Sequence, residues 1–78
     1  ELSRYGVSTM TKPYYTKTIK ELRESQGLTQ QEVADYLGTS QTMYARYERG
    51  ANEMPIRHLI ALCHLYKVSA DSILGINL

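Results

Sequence analysis

Thr29-Gln30-Gln31-Glu32-Val33-Ala34-Asp35-Tyr36-Leu37-Gly38-Thr39-Ser40-Gln41-Thr42-Met43-Tyr44-Ala45-Arg46-Tyr47-Glu48-Arg49-Gly50 is the stretch on which the fold turns. Thr29 stands three residues ahead of Glu32, the spacing at which the side chain of each satisfies an orphan amide of the other. A helix is therefore predicted to start at Thr29, with Val33, Ala34 and Leu37 as its buried stripe. Gly38 can take the left-handed conformation that stops a helix at little cost. Thr39 and Ser40 both suit an N-cap. From Gln41 to Arg49, Tyr44, Tyr47 and the aliphatic stem of Glu48 share one face, and Gly50 closes the segment. The result is two short helices joined by a tight turn. Ala34 falls where they cross, where a larger side chain would push the second helix out of position.

Working outward, Thr16 to Gln26 carries Ile19, Leu22 and Arg23 on one side of an amphipathic helix that Gly27 ends. After a loop from Ala51 to Met54, Pro55 suits the first turn of a fourth helix, because its missing N–H would be unpaired there. Leu59, Leu62, Cys63 and Tyr66 form that helix's apolar face, with Ile56 one turn earlier. Val68 leaves it. Ser69 is expected to cap a short fifth helix through Leu74, with Ile73 and Leu74 facing in and Gly75 as the stop. No strand is required, so the expected fold is an all-α, compact five-helix domain over residues 16–78, preceded by a flexible segment 1–15. Met10 fits a native start, and residues 1–9 are expected to be an appended stretch. Among the seven tyrosines, Tyr36, Tyr44, Tyr47 and Tyr66 lie on or beside the helical stripes and are expected to be core rings with hydroxyls at the surface.

Seventy-eight residues with 42% hydrophobic content make one small domain and leave little room for a catalytic cleft. A formal net charge of +1 means that any polyanion must be met by local placement of charge. The single Cys63 cannot form an internal disulfide and belongs to an apolar stripe. Cys63 and His64 point about 100° apart and cannot work together, and His58 and His64 are wrongly spaced for a shared metal. No catalytic residue, metal or cofactor is expected. No apolar run approaches a membrane span, and the default location is the cytoplasm.

Taken in order, Ile19-Lys20-Glu21-Leu22-Arg23, Gly27-Leu28-Thr29-Gln30, Val33-Ala34, Leu37-Gly38, Tyr47-Glu48-Arg49-Gly50, Pro55 and Val68-Ser69-Ala70-Asp71 resemble the helix-turn-helix domain of lambda-type repressors, Cro proteins and many small bacterial regulators. The match runs from Ile19 to about Gly75. Tyr44 departs from it, since the family places a β-branched aliphatic there; the larger ring is expected to tilt until its hydroxyl reaches solvent or a phosphate.

With Tyr44 facing the core, Thr42, Ala45, Arg46 and Arg49 point outward and Gln41 sits at the leading end. Gln can pair two ways with adenine, Arg can fork onto guanine, and a Thr methyl can meet the thymine methyl. The resemblance implies that Gln41, Thr42 and Arg46 read bases and that Ser40, Met43 and Ala45 flank them at the groove wall. It also implies that Thr29 and Gln30 hold a phosphate, which a helix N-terminus favours in any case. Arg49 and Asn52 are expected to grip phosphate on the other side, with Lys12, Lys17 and Lys20 adding long-range attraction. Arg23 and Glu48 resemble an internal ion pair of the family and are assigned to structure. The expected partner is double-stranded DNA, entered through the major groove at a palindromic operator by a homodimer whose interface includes Ile73, Ile76 and Leu78. The expected role is a transcriptional regulator, specifically a repressor. The alternative is a protein-interaction module of the same fold, such as an antitoxin or partner-dependent regulator, which the near-neutral charge keeps open; an RNA binder stands further off.

Overall fold

The computed structural model describes residues 13–76. Five helices follow one another: α1 (Tyr14–Ser25), α2 (Gln30–Leu37), α3 (Gln41–Arg49), α4 (Ile56–Tyr66) and α5 (Ala70–Leu74). No strand occurs among the described residues, and none of their helices is long and apolar enough to cross a membrane.

The helix ends follow local chemistry. At the start of α2 both halves of the capping box form: the Glu32 amide donates to the Thr29 hydroxyl at 3.1 Å and the Thr29 amide to the Glu32 carboxylate at 2.8 Å. Gly38 ends α2 at φ 75°, and Ser40 opens α3 two residues later by accepting from the Met43 amide at 3.0 Å. Ser69 occupies the N-cap position of α5, but its hydroxyl pairs with that of Ser72 and not with a backbone amide. The start of α1 lies two residues earlier than the apolar period indicates, because Pro13 supplies an extended N-cap and its carbonyl accepts from both the amide and the hydroxyl of Thr16. Tyr14 and Tyr15, expected in a flexible segment, are therefore helical. Residues 1–12, including the expected start at Met10 and Lys12, lie outside the described residues, as does Leu78.

Ile19, Val33, Ala34, Tyr44, Tyr47, Met54, Leu62, Tyr66 and Ile73 form one core that draws on all five helices and on the loop before α4. The α1 helix packs on α3 and α5, α2 crosses α3, and α4 closes against α2 and α5. Met54 is drawn in by its amide, which donates to the Tyr15 hydroxyl at 3.1 Å. Buried His58 tilts against Tyr47 with ring centroids 5.8 Å apart. Burial, helped by Arg57, holds its pKa below the ordinary histidine value.

Several apolar assignments are corrected. Tyr36 is 51% exposed and is no core ring, and Ile56 is 73% exposed because the loop turns the first residue of α4 away from the core. Ile73 is fully buried, since α5 packs that face onto α1; it offers nothing to a second copy, whereas Ile76 is 48% exposed. The tyrosine hydroxyls do not all reach the surface either. That of Tyr66 is buried without a hydrogen-bond partner among the described residues, and burial together with nearby Glu48 pushes its pKa up to about 12.

Candidate nucleic-acid interface

A charged network sits where α1, α2 and α3 meet. Glu48, buried near the end of α3, receives Arg23 in a fork, from Nε at 2.7 Å and from a terminal guanidinium nitrogen at 3.1 Å. Arg23 also donates to the Leu28 carbonyl at 2.9 Å, tying the turn after α1 to the same pair. The expected ion pair is thus present, and it has two further members. The Tyr44 hydroxyl donates to Glu48 at 2.6 Å and the Gln30 amide at 3.0 Å.

Tyr44 is a correction: its ring is fully buried and its hydroxyl turns inward to the carboxylate, not outward to solvent or phosphate. The reason is distance along the helix, since Tyr44 and Glu48 lie one turn apart and a buried carboxylate demands donors. Burial pushes the Glu48 carboxyl up, but the hydrogen bonds from Arg23, Tyr44 and Gln30 outweigh it and hold the group below its ordinary range. Tyr44 shifts strongly upward, chiefly by burial and then by its bond to Glu48.

The network continues to the surface. Gln41, at the first position of α3, donates from its amide nitrogen to the Gln30 side-chain oxygen at 2.7 Å. The carboxylate therefore sets the polarity of the whole chain. It requires a donor, so Gln30 turns its nitrogen to Glu48 and its oxygen to Gln41, and Gln41 must in turn donate. That leaves Gln41 with one N–H and one carbonyl oxygen without a partner among the described residues, the pair needed for the amino group and N7 of adenine.

Around Gln41, the outward face of α3 presents exposed Thr42, Arg46 and Arg49, with Ser40 exposed at its cap and Ala45 half-buried. Met43 is half-buried and packs against the edge of the core, so it is less open than a groove-wall residue would be. Arg46 donates from Nε to the Asn52 side-chain oxygen at 2.5 Å. Asn52 thereby holds the guanidinium over the surface while the terminal nitrogens of Arg46 have no hydrogen-bond partner among the described residues, a positioning role the sequence did not disclose. Thr29 is exposed at the head of α2 and Gln30 half-buried beside it; the backbone amides of Gln30 and Gln31 carry no partner among the described residues. Those amides and the positive end of the helix suit an anion. No group of three or more metal-ligating side chains gathers among the described residues.

The helix-turn-helix family, HTH_3, matches residues 19–73. An uncharacterized HTH-type transcriptional regulator of Bacillus subtilis strain 168, YobD, is 34% identical over 63 residues, which is 81% of this chain and 56% of YobD. The chain thus spans little more than half of that relative. Among solved structures, a transcriptional regulator from Listeria innocua superposes with a TM-score of 0.80 at 22% identity, covering 87% of this chain and 64% of that one. The P22 c2 repressor, solved in complex with a synthetic operator, superposes with a TM-score of 0.72 at 23% identity, covering 82% of this chain and 96% of that one.

Proposed function

The chain belongs to the helix-turn-helix family of the Cro/C1 type, and from that premise we propose that it binds duplex DNA sequence-specifically through α3 and acts as a transcriptional repressor. The observation that carries this reading is the relay from Glu48 through Gln30 to Gln41, which fixes the hydrogen-bonding sense of a half-buried amide at the leading end of α3. A solvated surface glutamine needs no such arrangement; a base-reading one gains from it, because a side chain already held in place loses less freedom on binding. In this reading Gln41, Thr42 and Arg46 meet base edges. Thr29, Gln30 and the free amides at the head of α2 hold one phosphate, and Arg49 holds another. Two copies act together, because one copy with few phosphate contacts binds feebly at physiological salt. The half-sites then lie about 34 Å apart, one turn of the duplex, and Ile76 belongs to the surface joining the copies.

Selection of binders from a random duplex library at near-physiological salt tests the proposal. A two-fold symmetric consensus is expected, with adenine at one position per half-site. Gln41→Ala should relax that position at a cost of about 1–3 kcal/mol while leaving the others intact. If folded protein enriches no sequence, DNA is not the ligand and a protein partner takes its place.

A further inference from the structure

Two arginines of this chain are steered by side-chain oxygens, and they end in different states. Arg23 meets the Glu48 carboxylate in a fork, with Nε at 2.7 Å and a terminal nitrogen at 3.1 Å, and gives a further bond to the Leu28 carbonyl. It is spent inside the fold. Arg46 meets the neutral amide of Asn52, whose oxygen accepts from Nε alone at 2.5 Å. Among the described residues the terminal nitrogens of Arg46 have no hydrogen-bond partner and its charge has no carboxylate partner. We infer that Asn52 is a specificity-determining residue that acts through Arg46: by occupying Nε it confines the exposed guanidinium to its two-nitrogen end, and that end selects guanine. The inference rests on the DNA-binding reading above and deepens it, naming the base at a second position of the half-site and the positioning residue that enforces it.

The loop makes this hold firm. After Gly50 turns the chain at φ 78°, the amides of Ala51 and Asn52 both fold back onto the Arg46 carbonyl, at 2.9 and 3.3 Å. Residues 46 and 52 are thus joined through backbone and side chain at once. Two residues on, buried Met54 anchors the far end of the loop by donating from its amide to the Tyr15 hydroxyl on α1. Asn52 is half-buried between these two anchors, while Arg46 is exposed. A long side chain is therefore held near one pose before any duplex arrives, and it loses less freedom on binding.

A guanidinium can present a fork from its two terminal nitrogens or from Nε and one of them. With Nε taken only the first remains, and both of its hydrogen bonds are donated. In the major groove guanine alone sets two acceptors side by side, N7 and O6, whereas adenine places an amino group beside N7. Asn52→Asp would reverse the arrangement. Two carboxylate oxygens would close a fork on Nε and a terminal nitrogen, as Glu48 does on Arg23, and would offset the charge that faces the DNA. Gln41 and Arg46 lie at the first and sixth positions of α3, about 7.5 Å apart along its axis, or about two base-pair steps. The guanine therefore stands about two base pairs from the adenine read by Gln41.

The test measures binding of the native chain, N52A and N52D to the selected duplex, to the same duplex with 7-deazaguanine in place of that guanine, and to one with 7-deazaadenine in place of the adenine. Each analogue removes one acceptor and leaves base pairing intact. At the guanine the native chain should lose about tenfold, and both variants under about threefold, one good base contact being worth that much. At the adenine all three chains should lose equally, because Gln41 is oriented by Glu48 and Gln30 and not by the loop. N52D is the arm that a merely structural role would not move: it keeps an acceptor for Nε, yet it should lose guanine discrimination as fully as N52A. It also decides the question if N52A fails to fold. In an R46A background N52A should have no further effect at the guanine. The inference is overturned if the selected half-site holds no guanine about two base pairs from the adenine. It is overturned equally if folded N52D keeps the native loss, or if the variants lose adenine discrimination to the same degree. Failure of the native chain to enrich any duplex would overturn the DNA-binding reading itself, whereas the preceding results overturn the role of Asn52 alone.

Discussion

Two tyrosines in the same core make opposite use of their hydroxyls. That of Tyr44 is one of three side-chain donors on a buried carboxylate, whereas that of Tyr66 is buried with no partner among the described residues. Removing a hydrogen bond to a charged group costs about 2 kcal/mol, while removing an unsatisfied polar atom is neutral or stabilising. Tyr44→Phe should therefore lower stability in denaturant unfolding by about that amount, and Tyr66→Phe should leave it unchanged or raise it. Glu48→Ala is harsher, because it strands the Arg23 guanidinium; a loss of about 3–5 kcal/mol is expected. An unchanged melting temperature with lost DNA binding would show that Glu48 serves recognition and not the fold. None of this division could be read from residue types. The sequence marked Tyr44 as core and Glu48 as paired, but whether a phenol turns in or out depends on which acceptor lies within reach of a fully enclosed ring.

At the scale of helices, the legible features were those with local causes. The capping box, Ser40, Gly38 and the boundaries of α3 and α4 are written in a few adjacent residues. What escaped depended on residues far apart in sequence: Ile56 sits on the apolar period of α4 yet faces solvent, and Ile73, rightly expected to face in, is enclosed so fully by α1 that its second assignment to a dimer interface fails. The outward face of α3 was likewise legible from its period, while Asn52 as the support of Arg46 required the path of the loop. Two glycines separate local from tertiary cause in a measurable way. Gly38, in the turn between α2 and α3, has φ 75° and open space where a Cβ would stand; Gly75, after α5, has φ 73° and the Tyr14 ring 2.5 Å from that point. Gly38→Ala should cost about 1–2 kcal/mol from backbone strain alone. Gly75→Ala should cost more in the native chain, and about the same as Gly38→Ala once Tyr14→Ala has removed the ring.

For the molecule as a whole, acidification should act in two stages. Buried His58 resists the proton that the unfolded chain accepts near its ordinary value of 6.5, so stability should begin to fall as pH drops through that value and level off below the folded one. Glu48, held below its ordinary 4.5, stabilises the fold above that value and loses the contribution as pH falls through its lower folded value. Urea unfolding at a series of pH values should show both stages. His58→Asn should flatten the upper stage alone, and a native profile flat from pH 7 to 5 would rule out the burial argument for His58.

Lys67 ends α4 at φ 58°, the one described residue other than glycine in the left-handed region. A lysine there gives up about 1 kcal/mol that glycine would retain, and it takes no part in the hydrogen bonds of the Glu48 network and lies outside α3. Natural chains carry such unused margin because selection only removes what falls below a threshold. Lys67→Gly should raise the melting temperature without altering duplex recognition. It would also provide headroom in which variants of Glu48 or Tyr44, too unstable to study in the native background, remain folded long enough for their effect on base reading to be measured separately from their effect on stability.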